Sequence, residues 1–102
     1  MYFLLEYTLD IFEVVWSEKV TKALNSLPPH ISRKFFLRVR MVDELGIRKT
    51  RHVPGYHDEP LQGLRFGQRS VRLNRAYRAI YIQRKDGILE FLEVVEVHKH
   101  GY

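Results

Sequence analysis

Apolar positions recur along this chain in two rhythms, and each predicts a kind of element. Residues 11–16, "IFEVVW", are short, β-branched and aromatic, which is the signature of a strand. The spacing then lengthens. In "SEKVTKALNSL", Val20, Leu24 and Leu27 form a helical stripe, with Ser17 placed as an N-cap. Pro28 and Pro29 end that helix and open the next, because proline suits a first helical turn. The second helix is predicted over roughly residues 30–45, with Ile31, Phe35, Val39 and Val42 inward and Gly46 as its stop. Residues 48–64 carry prolines, glycines and histidines with weak periodicity, and read as one long loop. Residues 67–97 are strand-rich, and "KDG" before residue 88 is a turn with Gly87 in a left-handed conformation.

Within that last region "RSVRLNRAYRAIY" places arginines at 69, 72, 75 and 78. Its β-branched and aromatic content disfavours a helix, and Asn74 interrupts it with a turn signal. A three-residue loop of Asn74, Arg75 and Ala76 sets Leu73 opposite Tyr77, Val71 opposite Ala79 and Arg69 opposite Tyr81, a largely apolar face. The other face then holds Arg72 opposite Arg78 and Ser70 opposite Ile80. A two-residue loop would mix charged and apolar side chains on both faces, so the pattern selects the three-residue loop. Like charges directly across a strand pair repel. Two arrangements relieve the repulsion: an anion between Arg72 and Arg78, or two solvated side chains splayed apart.

The chain has 102 residues, 45% of them hydrophobic, which predicts one domain over residues 1–102 with a modest core. Residues 1–10 lack a basic n-region and a cleavage site, and read as an N-terminal arm or strand extension. No apolar run is long enough for a membrane span, so no membrane partner is expected. The absence of cysteine excludes disulfides, thiolate metal sites and cysteine nucleophiles, and fits a cytoplasmic protein. Net charge is +5, with 17 Lys and Arg against 12 Asp and Glu, which points to a polyanion or an acidic protein as partner. From residue 65 to 85 there are seven basic residues and no acidic one, a candidate phosphate-binding surface that takes in Arg65, Arg69 and Arg75. Arg33, Lys34, Arg38 and Arg40 of the second helix either extend it or form a solvated helix face.

The candidate chemistry gathers at the other end of the sheet strand predicted over residues 88–97. His98, His100 and Tyr102 follow it. Histidine titrates near neutral pH and serves as general acid or base, and tyrosine binds phosphate or stacks on a base. A three-residue loop at 85–87 pairs Arg78 with Val94 and puts His98 on the arginine face; a two-residue loop puts it on the opposite one. His98 and His100, with His52 and His57, also form a weak metal pattern, against which stands a frayed tail.

The segment "EPLQGLRFGQRSVRLNRAYRAIYI", followed by a hydrophobic strand and "HKHGY", resembles the RelE/ParE toxin superfamily of toxin–antitoxin systems, and within it the RelE/HigB-type mRNA interferases. The resemblance implies an α+β microbial-ribonuclease fold: an N-terminal strand, a helical hairpin and a three-stranded antiparallel meander in one sheet. It also implies a ribosome-dependent endoribonuclease that cuts mRNA by attack of the 2′-hydroxyl, without metal or other cofactor, and is silenced by a cognate antitoxin. Carried over by position, Arg78 is the phosphate stabiliser, with Arg72 beside it. His98 or His100 is the general acid or base, and Tyr102 the aromatic that follows. Proton-transfer candidates in the loop are His52, His57, Asp58 and Glu59. Lys34, Arg38, Arg65, Arg69 and Arg75 are expected to contact mRNA or ribosomal RNA. The alternatives are a ParE-like toxin that inhibits DNA gyrase without catalysis, and an inactive RNA- or protein-binding relative.

Overall fold

In the computed structural model, which describes residues 13–97, the helices begin and end largely where the sequence supplies their stops. After strand β1 (Val14–Trp16), helix α1 (Glu18–Asn25) starts with Ser17 in an extended conformation; its carbonyl accepts from Val20 and Thr21 at 3.1 and 3.2 Å. The Ser17 side chain makes no capping bond, so Ser17 caps by backbone shape alone. Helix α2 (Pro29–Leu45) opens on Pro29 and closes at Gly46, whose φ of 79° suits glycine and whose N–H donates to the Val42 carbonyl at 2.9 Å.

The long loop expected over 48–64 is in part ordered structure. Residues Ile47–Thr50 form a single helical turn, α3, with both end residues buried. The Thr50 hydroxyl donates to the Gly46 carbonyl at 2.6 Å, and tertiary burial rather than any repeat in the sequence explains the turn. Further on come a two-residue edge strand, β2 (Glu59–Pro60), and a 3-10 turn at Gly63–Arg65.

Strands β3 (Arg69–Arg72), β4 (Tyr77–Gln83) and β5 (Leu89–Glu96) complete a five-stranded sheet ordered β1-β5-β4-β3-β2. Strand β1 runs parallel to β5, and the other neighbours are antiparallel. The α+β architecture and the meander are as expected, with β2 added at the far edge. The β3–β4 hairpin has the anticipated register: Arg69 opposite Tyr81, Val71 opposite Ala79, Arg72 opposite Arg78. Its loop is held by Asn74, whose side-chain oxygen accepts from the N–H groups of Ala76 and Tyr77, each at 2.8 Å.

The β4–β5 turn also has three residues, with Arg84 N–H bonded to the Ile88 carbonyl at 2.8 Å. A bulge then intervenes: Tyr81 faces Phe91, but Ile80 faces Glu93 and Arg78 faces Val95, not Val94. The physical reason is visible in the side chains. Phe91 lies in the core, so unbroken alternation would bury Glu93 there as well; one extra residue turns Glu93 outward and Val94 in.

One face of the sheet packs on the helices. Val71, Leu73, Ala79, Tyr81, Leu89 and Phe91 meet Val20, Leu24, Ile31, Phe35 and Val42. Phe35 is the hub, edge-on to Trp16 at 5.2 Å and to Phe91 at 4.7 Å between ring centres. Replacing Phe35 by alanine removes a fully buried ring and is expected to cost about 3–5 kcal/mol. Urea unfolding of the two proteins measures it; a loss under about 1 kcal/mol would mean that Phe35 is not the packing hub.

Candidate functional site

On the sheet face turned away from the helices, the hairpin register brings Arg72 and Arg78 side by side. Their repulsion is relieved asymmetrically. Arg78 is only 6% exposed and is engaged by the protein: its Nε donates to the Ser70 hydroxyl, and one terminal nitrogen to the His57 carbonyl at 2.7 Å and the Ser70 carbonyl at 3.3 Å. The same nitrogen lies 3.5 Å from the Glu59 carboxylate, which is 57% exposed. Of the two arrangements, an anion is present for one arginine: it is a carboxylate of the chain itself, and it serves Arg78. Arg72 has no side-chain partner among the described residues.

The edge segment that supplies these contacts is laid along β3. The Tyr56 carbonyl accepts from Arg72 N–H at 2.6 Å, and Glu59 and Pro60 pair with Ser70 and Arg69. Between them His57 takes a φ of 46°, a left-handed conformation uncommon outside glycine. With that turn the His57 carbonyl meets Arg78 on one face, while the Asp58 side chain enters the other. His57 therefore contributes its backbone to the site, and its imidazole is exposed.

Asp58 is the most constrained carboxylate of the described residues. Its side chain is fully buried and accepts from Arg38, from Arg69 at 2.7 Å and from the Tyr81 hydroxyl at 2.6 Å. Arg38 also donates to the Thr50 carbonyl at 2.7 Å and lies over the Tyr56 ring at 4.9 Å. Burial opposes the charge of Arg69, but the hydrogen bond and charge of Asp58, with a smaller contribution from Tyr81, outweigh it and raise the guanidinium's pKa. The Tyr81 phenol is pushed up, first by burial and then by the adjoining carboxylate. Burial likewise raises Tyr56.

Several expectations change here. Arg38, at 1% exposure, is a buried ion-pair partner and offers no surface to RNA. Arg69 is committed to Asp58 on the helix side. Lys34 is on that side too, 5.1 Å over Tyr56. Asp58, with both oxygens engaged inside the fold, is not free to act as a base. Arg65 bonds Glu93 at 3.0 Å and Gln68 at 2.9 Å. Arg75 is exposed at the hairpin tip. His52 is exposed just after α3, with no contact to Arg72 or Arg78. His98, His100 and Tyr102 lie outside the described residues, as does the N-terminal arm. Among the described residues no cluster of His, Asp or Glu is arranged to hold a metal.

Glu93 is the carboxylate that sequence reasoning missed. It shares the outer face with Arg78 through its pairing with Ile80, and the only sequence signal was a charge two residues after a core phenylalanine. Chemically, the part of the face around Arg78 presents an immobilised cation, the half-buried Arg72 with no side-chain partner among the described residues, and the solvent-reaching Glu59 carboxylate in contact with Arg78. That set suits a phosphodiester: charge to stabilise it and a proton acceptor beside it.

No protein-family model matches the sequence, and no curated protein matches it. Solved structures do. The RelE–RelB complex from the archaeon Pyrococcus horikoshii contains a chain similar to this one at 24% identity and a TM-score of 0.69, covering 87% of this chain and 98% of that one. A YoeB/ParE toxin from Agrobacterium tumefaciens matches at 18% identity and a TM-score of 0.66, over 85% of this chain and 100% of its own. The toxin–antitoxin complex RelBE2 from Mycobacterium tuberculosis matches at 22% and 0.55, over 83% and 96%.

Asp58→Ala strands the buried Arg38 charge and is expected to cost about 3–5 kcal/mol, read from urea unfolding. A change within experimental error would mean that Asp58 does not hold Arg38, Arg69 and Tyr81 together. The raised Tyr81 pKa has a definite sign. The neutral phenol favours the fold, so its contribution is complete below the unfolded pKa of about 10 and is lost as pH climbs through the higher folded value. Unfolding midpoints are expected to fall above pH 10, less steeply in Tyr81→Phe; parallel curves would contradict the assignment.

Proposed function

Because the chain shares the fold of the RelE/ParE toxins, we propose that it is the toxin of a type II toxin–antitoxin pair and cuts mRNA during translation. The observation that carries this reading is the contact between Arg78 and Glu59: a guanidinium aimed by protein acceptors, 3.5 Å from a carboxylate that reaches solvent.

Cleavage then runs as follows. Glu59 accepts the proton of the 2′-hydroxyl, whose oxygen attacks the adjacent phosphorus. The bond from phosphorus to the 5′-oxygen breaks, giving a 2′,3′-cyclic phosphate and a 5′-hydroxyl. Arg78, with Arg72 beside it, stabilises the negative charge that builds on the phosphoryl oxygens. Arg78 starts ordered, so little reorganisation is needed as that charge develops. His98 or His100 protonates the leaving 5′-oxygen, and Tyr102 stacks on a neighbouring base. Support for the tail's role comes from Val97, whose N–H donates to the Ala76 carbonyl at 2.6 Å: the chain leaves β5 beside the loop that joins the two arginine strands.

The ribosome and its message supply the polyanion that the net charge of +5 suits. A cognate antitoxin is the second partner, as in the RelBE2 toxin–antitoxin complex. Its seat is a groove of about 270 Å³ on the outer side of α2, where Phe36 and Leu37 lie between Arg33 and Arg40. Those residues suit an acidic amphipathic segment. In this reading the protein works in the cytoplasm.

Primer extension on mRNA in a purified translation reaction tests the proposal. Cuts at defined codons are expected with the wild type, slowed about 10²–10³-fold in Arg78→Ala and about 10²–10⁴-fold in Glu59→Gln. Intact message with the wild type, together with loss of gyrase supercoiling, would replace this reading by the ParE-like one.

A further inference from the structure

A second cleft lies on the side of the sheet that Arg69 and Gln83 face, opposite Arg78. Its volume is about 230 Å³, below the roughly 300–1,000 Å³ of sites for drug-sized ligands and closer to the size of a single base. None of its lining residues is acidic.

Two features point to its ligand. Phe66 is 82% exposed at the rim, on a loop that is fixed rather than slack. The loop turns at Gly63 and Gly67, with φ of 64° and 95°, and is tied by Phe66 N–H to the Gly63 carbonyl at 3.1 Å and Gln68 N–H to the Arg65 carbonyl at 2.9 Å. An aromatic ring presented on a fixed loop loses little freedom when a base stacks on it. The second feature is Arg51. It donates to the neutral Gln83 amide at 2.9 Å; its Nε is buried, and among the described residues that Nε has no acceptor and no carboxylate pairs with the guanidinium. Arg38 and Arg69 share the single charge of Asp58, so that neighbouring cluster is also left one positive charge in excess.

We propose that this cleft holds one unpaired RNA nucleotide, with the base against Phe66 and the phosphate drawn to Arg51. Gln62 offers amide donors and an acceptor to the base edge. The site rests on the reading that the protein acts on RNA, and it lies apart from the Arg78 face. The nucleotide belongs either to the message or to ribosomal RNA.

The test uses the full chain carrying Glu59→Gln, so that bound RNA stays intact. Binding of a fluorescent single-stranded RNA hexamer and co-sedimentation with vacant ribosomes are measured for this protein and for the same protein with Phe66→Ala or Arg51→Gln added. Phe66→Ala is expected to weaken binding roughly tenfold with an unchanged salt slope. Arg51→Gln is expected to weaken it and to lower the slope of log affinity against log salt by about one. A loss confined to the hexamer assigns the cleft to the message, and one confined to ribosomes assigns it to ribosomal RNA. Phe66 is too exposed for its loss to unfold the chain, so unchanged binding in both arms overturns the proposal. Weaker binding by Phe66→Ala beside a wild type that cuts no mRNA supports the cleft and removes the nuclease reading; cutting with unchanged binding does the reverse.

Discussion

A single buried carboxylate ties the β2 edge of this protein to its core. Asp58 reaches groups from three elements: Arg38 of α2, Arg69 of β3 and Tyr81 of β4. Removing a carboxylate from water costs several kcal/mol, and two guanidinium groups and a phenol offset that here by direct hydrogen bonds. The result is a side-chain tether that adds to the segment's backbone bonds along β3, where β2 itself has only two residues, both exposed. With Asp58 drawn inward, His57 is turned into its left-handed conformation, and its carbonyl and the Glu59 side chain meet Arg78 on the opposite face.

The sheet therefore has two differently built faces, and the hairpin's alternation couples them. Each residue of β3 and β4 that enters the core sets its neighbour on the polar face. Val71 and Ala79 are at 0% exposure in the core, so Arg72 and Arg78 must lie together on the other side. Their mutual repulsion is then managed by the acceptors of Ser70, His57 and Glu59, which leave Arg78 aimed and Arg72 without a side-chain partner among the described residues. Preorganised charge of this kind is what a developing anion needs.

Positive charge is also divided by the fold. Arginines adjacent in sequence have separate fates: Arg65 pairs with Glu93, Arg69 with Asp58, Arg78 with Glu59, while Arg75 remains in solvent at the hairpin tip. The uniform basic run from residue 65 to 85 is therefore not a uniform surface. Among the described residues, its charges without a carboxylate partner are Arg72, Arg75 and Lys85, and Arg51, outside the run, adds another on the helix side.

Local patterns by themselves determined the helical hairpin, its proline and glycine stops, and the β3–β4 register, because each depends on neighbours a few residues apart. The period of two in "SVRL" and "YRAIYI" sufficed to pair Arg72 with Arg78, and the order of elements with the family resemblance of residues 59–82 was enough to indicate the fold. What the tertiary structure alone decided were contacts over long separations. Asp58 meets Arg38 twenty residues away and Tyr81 twenty-three away, and nothing in the sequence around any of the three marks them as partners. Likewise the bulge in β5 depends on which side of the sheet the helices cover, and only that covering makes an inward Glu93 intolerable. Periodicity reports which side chains share a face; which opposite charges meet across the fold is settled by the cost of burying a charge without a partner.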